Sequence, residues 1–188
     1  MGLDALRRAQ RSIKSESVPG AQTAKLCDMG TTADGLEHLF ISTIAKVRST
    51  NASLALVIWL MYASGLRVSE ILKIRGKDIS RSYNILIKGS KNSSDRLVSG
   101  VLFAYFLESY IGKNILVFDQ FDRFYVYREL KKLGLSYKFA GNEKNSVTHL
   151  GRHVFALQGK EIADESMTVG KMLGHKGTNS EKYYTKNE

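Results

Sequence analysis

From Asp34 onward the apolar positions acquire a period. In DGLEHLFISTIAKV, the residues Leu36, Leu39, Phe40, Thr43, Ile44 and Val47 recur every three or four positions, the spacing that lines one face of a helix. After a polar break, NASLALVIWLMYA predicts a second helix. The stretch DISRSYNILIKGSKNSSDRLV then shifts to β-branched and aliphatic residues around a Gly/Ser/Asn cluster. That pattern predicts a small antiparallel sheet with a polar, lysine-bearing turn between Ile87 and Leu97. Helical patterning returns over 101–112 and 121–135, and SYKFAGNEKNS reads as a loop. VTHLGRHVFALQG starts another helix near Thr148, and a helix over 161–173 leads into LGHKGTNSEKYYTKNE. The predicted class is mainly α with a small antiparallel β-sheet (α+β).

The segment before this pattern has no sustained apolar period and contains the only proline, Pro19. Residues 1–33 are therefore expected to form an N-terminal arm or interdomain linker, and residues 34–188 one domain. With 43% hydrophobic residues in 188, the chain can build a core. The longest apolar run, Leu54 to Ala63, is about half of the roughly 20 residues that span a bilayer, and the N-terminus lacks the apolar block of a signal peptide. An intracellular protein with no membrane partner is expected. Cys27 is alone, so an internal disulfide is excluded, and no repeated Cys/His spacing suggests structural zinc.

Charge narrows the partner. The 28 Lys and Arg against 18 acidic residues give a net charge of +10, which favours a polyanion such as nucleic acid. Generic phosphate affinity, as in membrane-surface or ribosome-associated proteins, would also produce such an excess.

Three short segments concentrate groups that could act on a phosphate. In SGLRVSEIL, Arg67 and Glu70 lie three residues apart near a helix start. Taken alone they form an ordinary surface ion pair of small worth. Functionally, the carboxylate could hold the guanidinium fork ready for two hydrogen bonds to a phosphate. In THLGRHVFA, His149, Arg152 and His153 share one helix stripe, with Val154, Phe155 and Leu157 on the other face. A His-x-x-x-His pair suits zinc, but an arginine inside the stripe repels a cation, and lone histidines are often plain core or surface residues. In LGHKGTNSEKYY, His175 follows a glycine turn and two tyrosines close the segment. A phenol with a pKa near 10 is a poor nucleophile until cations stabilise its phenolate.

In order along the chain, Arg67 with Glu70, a hairpin lysine, His-x-x-Arg-His, Gly-His, and a tyrosine nine residues later resemble the catalytic domain of the tyrosine recombinases, the integrase family of site-specific DNA recombinases. The likeness runs from about Asp34 to the C-terminus. It implies that Arg67 and Arg152 clamp the phosphate, that His149 and His175 are the site histidines, and that Glu70 and His153 support them. Family spacing from the Gly-His histidine makes Tyr184 the nucleophile rather than Tyr183. Lys91, 24 residues after Arg67 and five before Arg96, matches the hairpin lysine, with Lys88 as runner-up.

The resemblance further implies a 3′-phosphotyrosyl intermediate formed without metal or other cofactor. It implies double-stranded DNA with specific sites as substrate, a homo-oligomer, a tetramer, assembled on that DNA, and the cytoplasm of a prokaryotic or virus-infected cell as location. Three features depart from the family pattern. Gly151 stands where leucine is usual, which is expected to weaken packing behind Arg152. Only four residues follow Tyr184, and the arm is too short for the separate core-binding domain, which is expected to be absent or removed. Two rival readings use the same residues: a type IB topoisomerase or telomere resolvase with the same chemistry, and a catalytically silent DNA-binding regulator.

Overall fold

The structure, a computed structural model, describes residues 33–89, 93–136, 147–163 and 168–174. Helix α1 (Ala33–Arg48) places Leu36, Phe40, Ile41, Thr43, Ile44 and Val47 in the core, which is the stripe that the apolar period predicts with Ile41 added and Leu39 only half-buried at its edge. Helix α2 (Ala52–Ser64) begins where the Asn51 side chain accepts the Leu54 amide at 2.9 Å. It is buried on nearly every side, from Leu54 through Ile58 to Leu60 and Met61, so it forms the centre of the molecule rather than an amphipathic wall.

Helix α2 stops at Gly65, whose left-handed backbone (φ 58°) turns the chain. No side chain would fit there. A Cβ at 65 would sit 2.7 Å from Leu173 and 2.8 Å from Phe155. A four-residue helix, α3 (Val68–Ile71), follows directly, and a 3₁₀ turn at Gly76–Asp78 leads into the hairpin of β1 (Asn84–Ile87) and β2 (Arg96–Ser99). The strands are antiparallel, with Ile85 opposite Val98 and Ile87 opposite Arg96.

The expected helix over 101–112 is broken. It comprises a 3₁₀ turn (Val101–Phe103), one α turn, α4 (Ala104–Leu107), and another 3₁₀ turn (Glu108–Tyr110). Only Phe103 and Leu107 reach the core while Val101 and Tyr105 face solvent, so the apolar face is too narrow to hold a regular helix. Helix α5 (Arg123–Lys132) lies inside the 121–135 span. Helix α6 (Leu150–Ile162) packs on α2, and α7 (Val169–Met172) packs on α6.

A single helix over 161–173 does not form. Residues 161 and 162 end α6, Ala163 is extended (φ −70°, ψ 141°), and Thr168 caps the separate α7 by accepting the Lys171 amide. Among the described residues, no helix is long and apolar enough to cross a membrane.

Gly151 departs from the expectation of weakened packing. A Cβ at this position would meet the Met61 carbonyl carbon at 2.6 Å and its oxygen at 2.7 Å. The glycine lets α6 approach the α2 backbone directly, so the contact behind Arg152 is closer than a leucine would allow. A polar link ties the same helices: Gln158 Nε2 on α6 donates to the Tyr62 hydroxyl on α2 at 3.2 Å, and that hydroxyl donates to Glu37 on α1 at 2.6 Å.

Candidate active site

Arg67 occupies the extended position just before α3, and Glu70 lies in its first turn. The Glu70 carboxylate accepts the Arg67 main-chain amide at 2.8 Å and the Arg67 guanidinium at 3.3 Å. Its Oε2 also accepts Arg96 Nη2 from strand β2 at 3.1 Å. The Glu70 side chain is 4% exposed, against 35% for Arg67. The ordinary surface pair is thus excluded. One buried carboxylate holds two guanidiniums and leaves Arg67 partly open to a ligand.

Arg152 is almost completely buried (1%) on α6. Its Nη1 donates to the Gly65 carbonyl at 2.7 Å and its Nη2 to the Leu173 carbonyl at 3.1 Å. The guanidinium therefore joins the turn that precedes Arg67 to the segment that precedes His175. Helix α6 supplies this placement because Arg152 follows Gly151, at the point where the helix backbone lies against α2.

His149 stands at the N-terminal cap of α6, with an exposed edge. Partial desolvation lowers its pKa from the usual value, and the positive charges of Arg67, Arg152 and Arg123 push the same way. His153, one turn along, is brought down to about 4 by burial, with His149 and Arg152 adding to the effect. Both imidazoles are thus held toward the neutral form. Among the described residues, no three His, Cys, Asp or Glu side chains gather as a metal-binding group.

Four of the predicted residues, Arg67, Glu70, His149 and Arg152, therefore meet through direct contact or mutual charge, with His153 beside them. Lys91, His175, Tyr183 and Tyr184 lie outside the described residues. Lys88 is just past the end of β1, with its side chain 63% exposed and its ammonium 3.4 Å from Asp78.

In the sequence Arg96 stands out only as a spacing mark, and Arg123 belongs to none of the three motifs. Arg96 carries a readable signal, because it lies two residues before the inward-facing Val98. That places a cation on the core side of a two-residue alternation. The position of Arg123 near His149 depends on how α5 docks, and no local pattern announces it.

The phage integrase family profile matches residues 32–188, and the chain belongs to that family. It is 29% identical to tyrosine recombinase XerA of Saccharolobus solfataricus over 136 residues, covering 69% of this chain and 44% of that protein. It is 30% identical to tyrosine recombinase XerH of Helicobacter pylori, covering 77% of this chain and 43% of that protein. With tyrosine recombinase XerD of Lacticaseibacillus casei it shares 27% identity over 97% of its own length and 70% of the relative's. The chain spans less than half the length of the first two. The fold matches the crystal structure of XerA recombinase with a TM-score of 0.58 at 15% identity, covering 98% of this chain and 85% of that one.

Proposed function

We propose that residues 34–188 are the catalytic domain of a site-specific DNA recombinase that cuts and rejoins strands through a 3′-phosphotyrosyl intermediate. The observation that carries this reading is the shared Glu70 carboxylate. It fixes Arg67 against the hairpin, while Arg152 ties the Arg67 turn to the Gly-His segment. Family membership and the order of the motifs support the same reading.

In this mechanism the Tyr184 phenol oxygen attacks the phosphorus of a DNA phosphodiester. The bond from phosphorus to the 5′ oxygen breaks, leaving the 3′ strand esterified to tyrosine. Arg67 and Arg152 offset the charge that grows on the non-bridging oxygens, and His175 adds a hydrogen bond. His149, kept neutral by its surroundings, accepts the phenol proton, and Lys91 donates one to the departing 5′ oxygen. The phosphotyrosyl ester conserves the bond energy, so rejoining is the reverse attack by a 5′ hydroxyl and needs neither nucleotide nor metal. The partner is duplex DNA bearing specific sites, the working assembly is a tetramer on that DNA, and the setting is the cytoplasm.

The test uses a pool of nicked suicide duplexes with randomised arms, from which the cut 5′ fragment diffuses away. An SDS-resistant protein–DNA adduct that Tyr184→Phe eliminates and Tyr183→Phe spares is expected. A suicide-duplex pool that is bound but never joined to protein would favour the silent regulator. Relaxation of supercoiled plasmid at many sequences would favour the topoisomerase.

A further inference from the structure

Arg96 has a placement that the proposed chemistry does not yet use. It opens β2 opposite the buried Ile87, so its side chain runs inward beside Ile85 and Val98 and is only 12% exposed. Nη2 grips Glu70, whereas Nε and Nη1 are buried with no acceptor among the described residues. Burial accordingly lowers the Arg96 pKa from its usual value and nearby Arg67 adds to this, with the Glu70 charge acting in opposition. Two buried donors without acceptors cost stability, so packing alone does not account for an arginine at this position. Nor is Arg96 placed to bind DNA itself, since its uncommitted nitrogens are closed off from solvent.

What Arg96 does touch is the base of the hairpin turn. Two residues earlier, the Ser94 amide donates to the Gly174 carbonyl at 2.8 Å. Gly174 is left-handed (φ 72°), and any Cβ there would collide with Arg96 Nη1. On the other side of the turn, the Gly89 amide donates to the Asp95 carboxylate at 2.7 Å, and a Cβ at 89 would collide with the Ser93 carbonyl. The two ends of the turn are thus drawn together, and the Arg96 side chain beside them lies between Glu70 of the arginine cluster and Gly174 of the Gly-His segment. In the sequence, Lys91 lies between Gly89 and Ser93.

We propose that Arg96 is a positioning residue that, by holding Glu70 and packing on Gly174, fixes the base of the hairpin whose turn sequence supplies the lysine that protonates the leaving 5′ oxygen. The inference rests on the recombinase reading for its chemistry and on the hairpin geometry alone for the anchoring. The proton passes from the lysine ammonium to the 5′ oxygen as the phosphorus–oxygen bond breaks, leaving a neutral amine and a 5′ hydroxyl. A sulfur in place of that bridging oxygen leaves readily as a thiolate and needs no proton. Loss of the positioning residue should therefore be hidden on the sulfur substrate.

The experiment compares adduct formation by the parent chain, Arg96→Met, Arg96→Lys and Arg67→Met on suicide duplexes with oxygen or sulfur at the scissile 5′ position. Arg96→Met is expected to slow the oxygen substrate about 100-fold, the scale of a lost general acid, and the sulfur substrate by less than about fivefold. Arg96→Lys should show the same rescue with a smaller initial loss, and Arg67→Met should be slow on both substrates. An equal loss on the two substrates by both Arg96 variants, or no loss by either, would overturn the proposal. Hydrogen exchange without DNA provides the second readout. The Gly89 and Ser94 amides should lose about tenfold or more of their protection in Arg96→Met while the α2 amides keep theirs. Unchanged hairpin protection would overturn the anchoring even if the parent chain proved unable to cut DNA. That inability, with hairpin protection lost as expected, would count against the recombinase reading alone.

Discussion

Replacing Glu70 by alanine removes three hydrogen bonds at once: those from the Arg67 amide, the Arg67 guanidinium and the Arg96 guanidinium. The three are not equal. Arg67 is 35% exposed, so water replaces much of what its side chain loses, and that contact is worth about 0.5 kcal/mol. The amide bond resembles a helix cap, worth about 1 kcal/mol. Arg96 is 12% exposed and already has two unpartnered nitrogens, so losing Glu70 strands its charge at a cost of roughly 2 kcal/mol. The sum is about 3–4 kcal/mol. For a chain of this size it corresponds to a fall in Tm of roughly 6–16 °C. Urea unfolding of Glu70→Ala, Arg96→Met and the double variant would measure it. The double variant should be more stable than additivity predicts by about 1–3 kcal/mol, because the charge that Glu70→Ala strands is then gone. A loss below about 1 kcal/mol for Glu70→Ala, or strict additivity in the cycle, would refute the view of Glu70 as a buried bridge.

Two further outcomes follow from the packing and the imidazoles. Gly151→Leu, which installs the residue usual in the family motif, should destabilise the chain by about 3 kcal/mol or more. Its Cβ would lie 2.6 Å from the Met61 backbone, and circular dichroism melts would show the loss. His153 has its pKa lowered from 6.5 to about 4 in the folded chain, so between these values the unfolded state binds the extra proton. Its contribution is therefore complete above about pH 6.5 and falls away as the pH drops toward 4, by up to about 3 kcal/mol. Denaturation midpoints from pH 7.5 to 4.5 should fall more steeply for the parent chain than for His153→Gln.

The residues with local signatures were the legible ones. Arg67 and Glu70 are three apart at a helix start, and that spacing alone puts the carboxylate on the Arg67 amide. The stripe of His149, Arg152 and His153 is likewise fixed by the period of α6. What the spacing did not reveal was the depth of the site. Whether Glu70 is a surface partner or a buried bridge depends on Arg96, which arrives from a strand 26 residues away. Gly151 was misjudged for a related reason. Its effect depends on the Met61 backbone of another helix, and a motif comparison carries no information about that distance. The helix expected over 161–173 failed locally, since apolar spacing continued across Ala163 while its backbone turned extended. Arg152 shows the same limit. Its side chain spans from Gly65 to Leu173, and only the folded chain brings those two carbonyls within reach of one guanidinium.

The most direct measurement is a crystal structure of the chain trapped on a suicide duplex. The expected result is a phosphate joined to Tyr184, with nitrogens of Arg67 and Arg152 about 2.7–2.9 Å from its non-bridging oxygens and Glu70 still bridging Arg67 to Arg96. A covalent phosphate on another residue, or one seated away from both arginines, would contradict it.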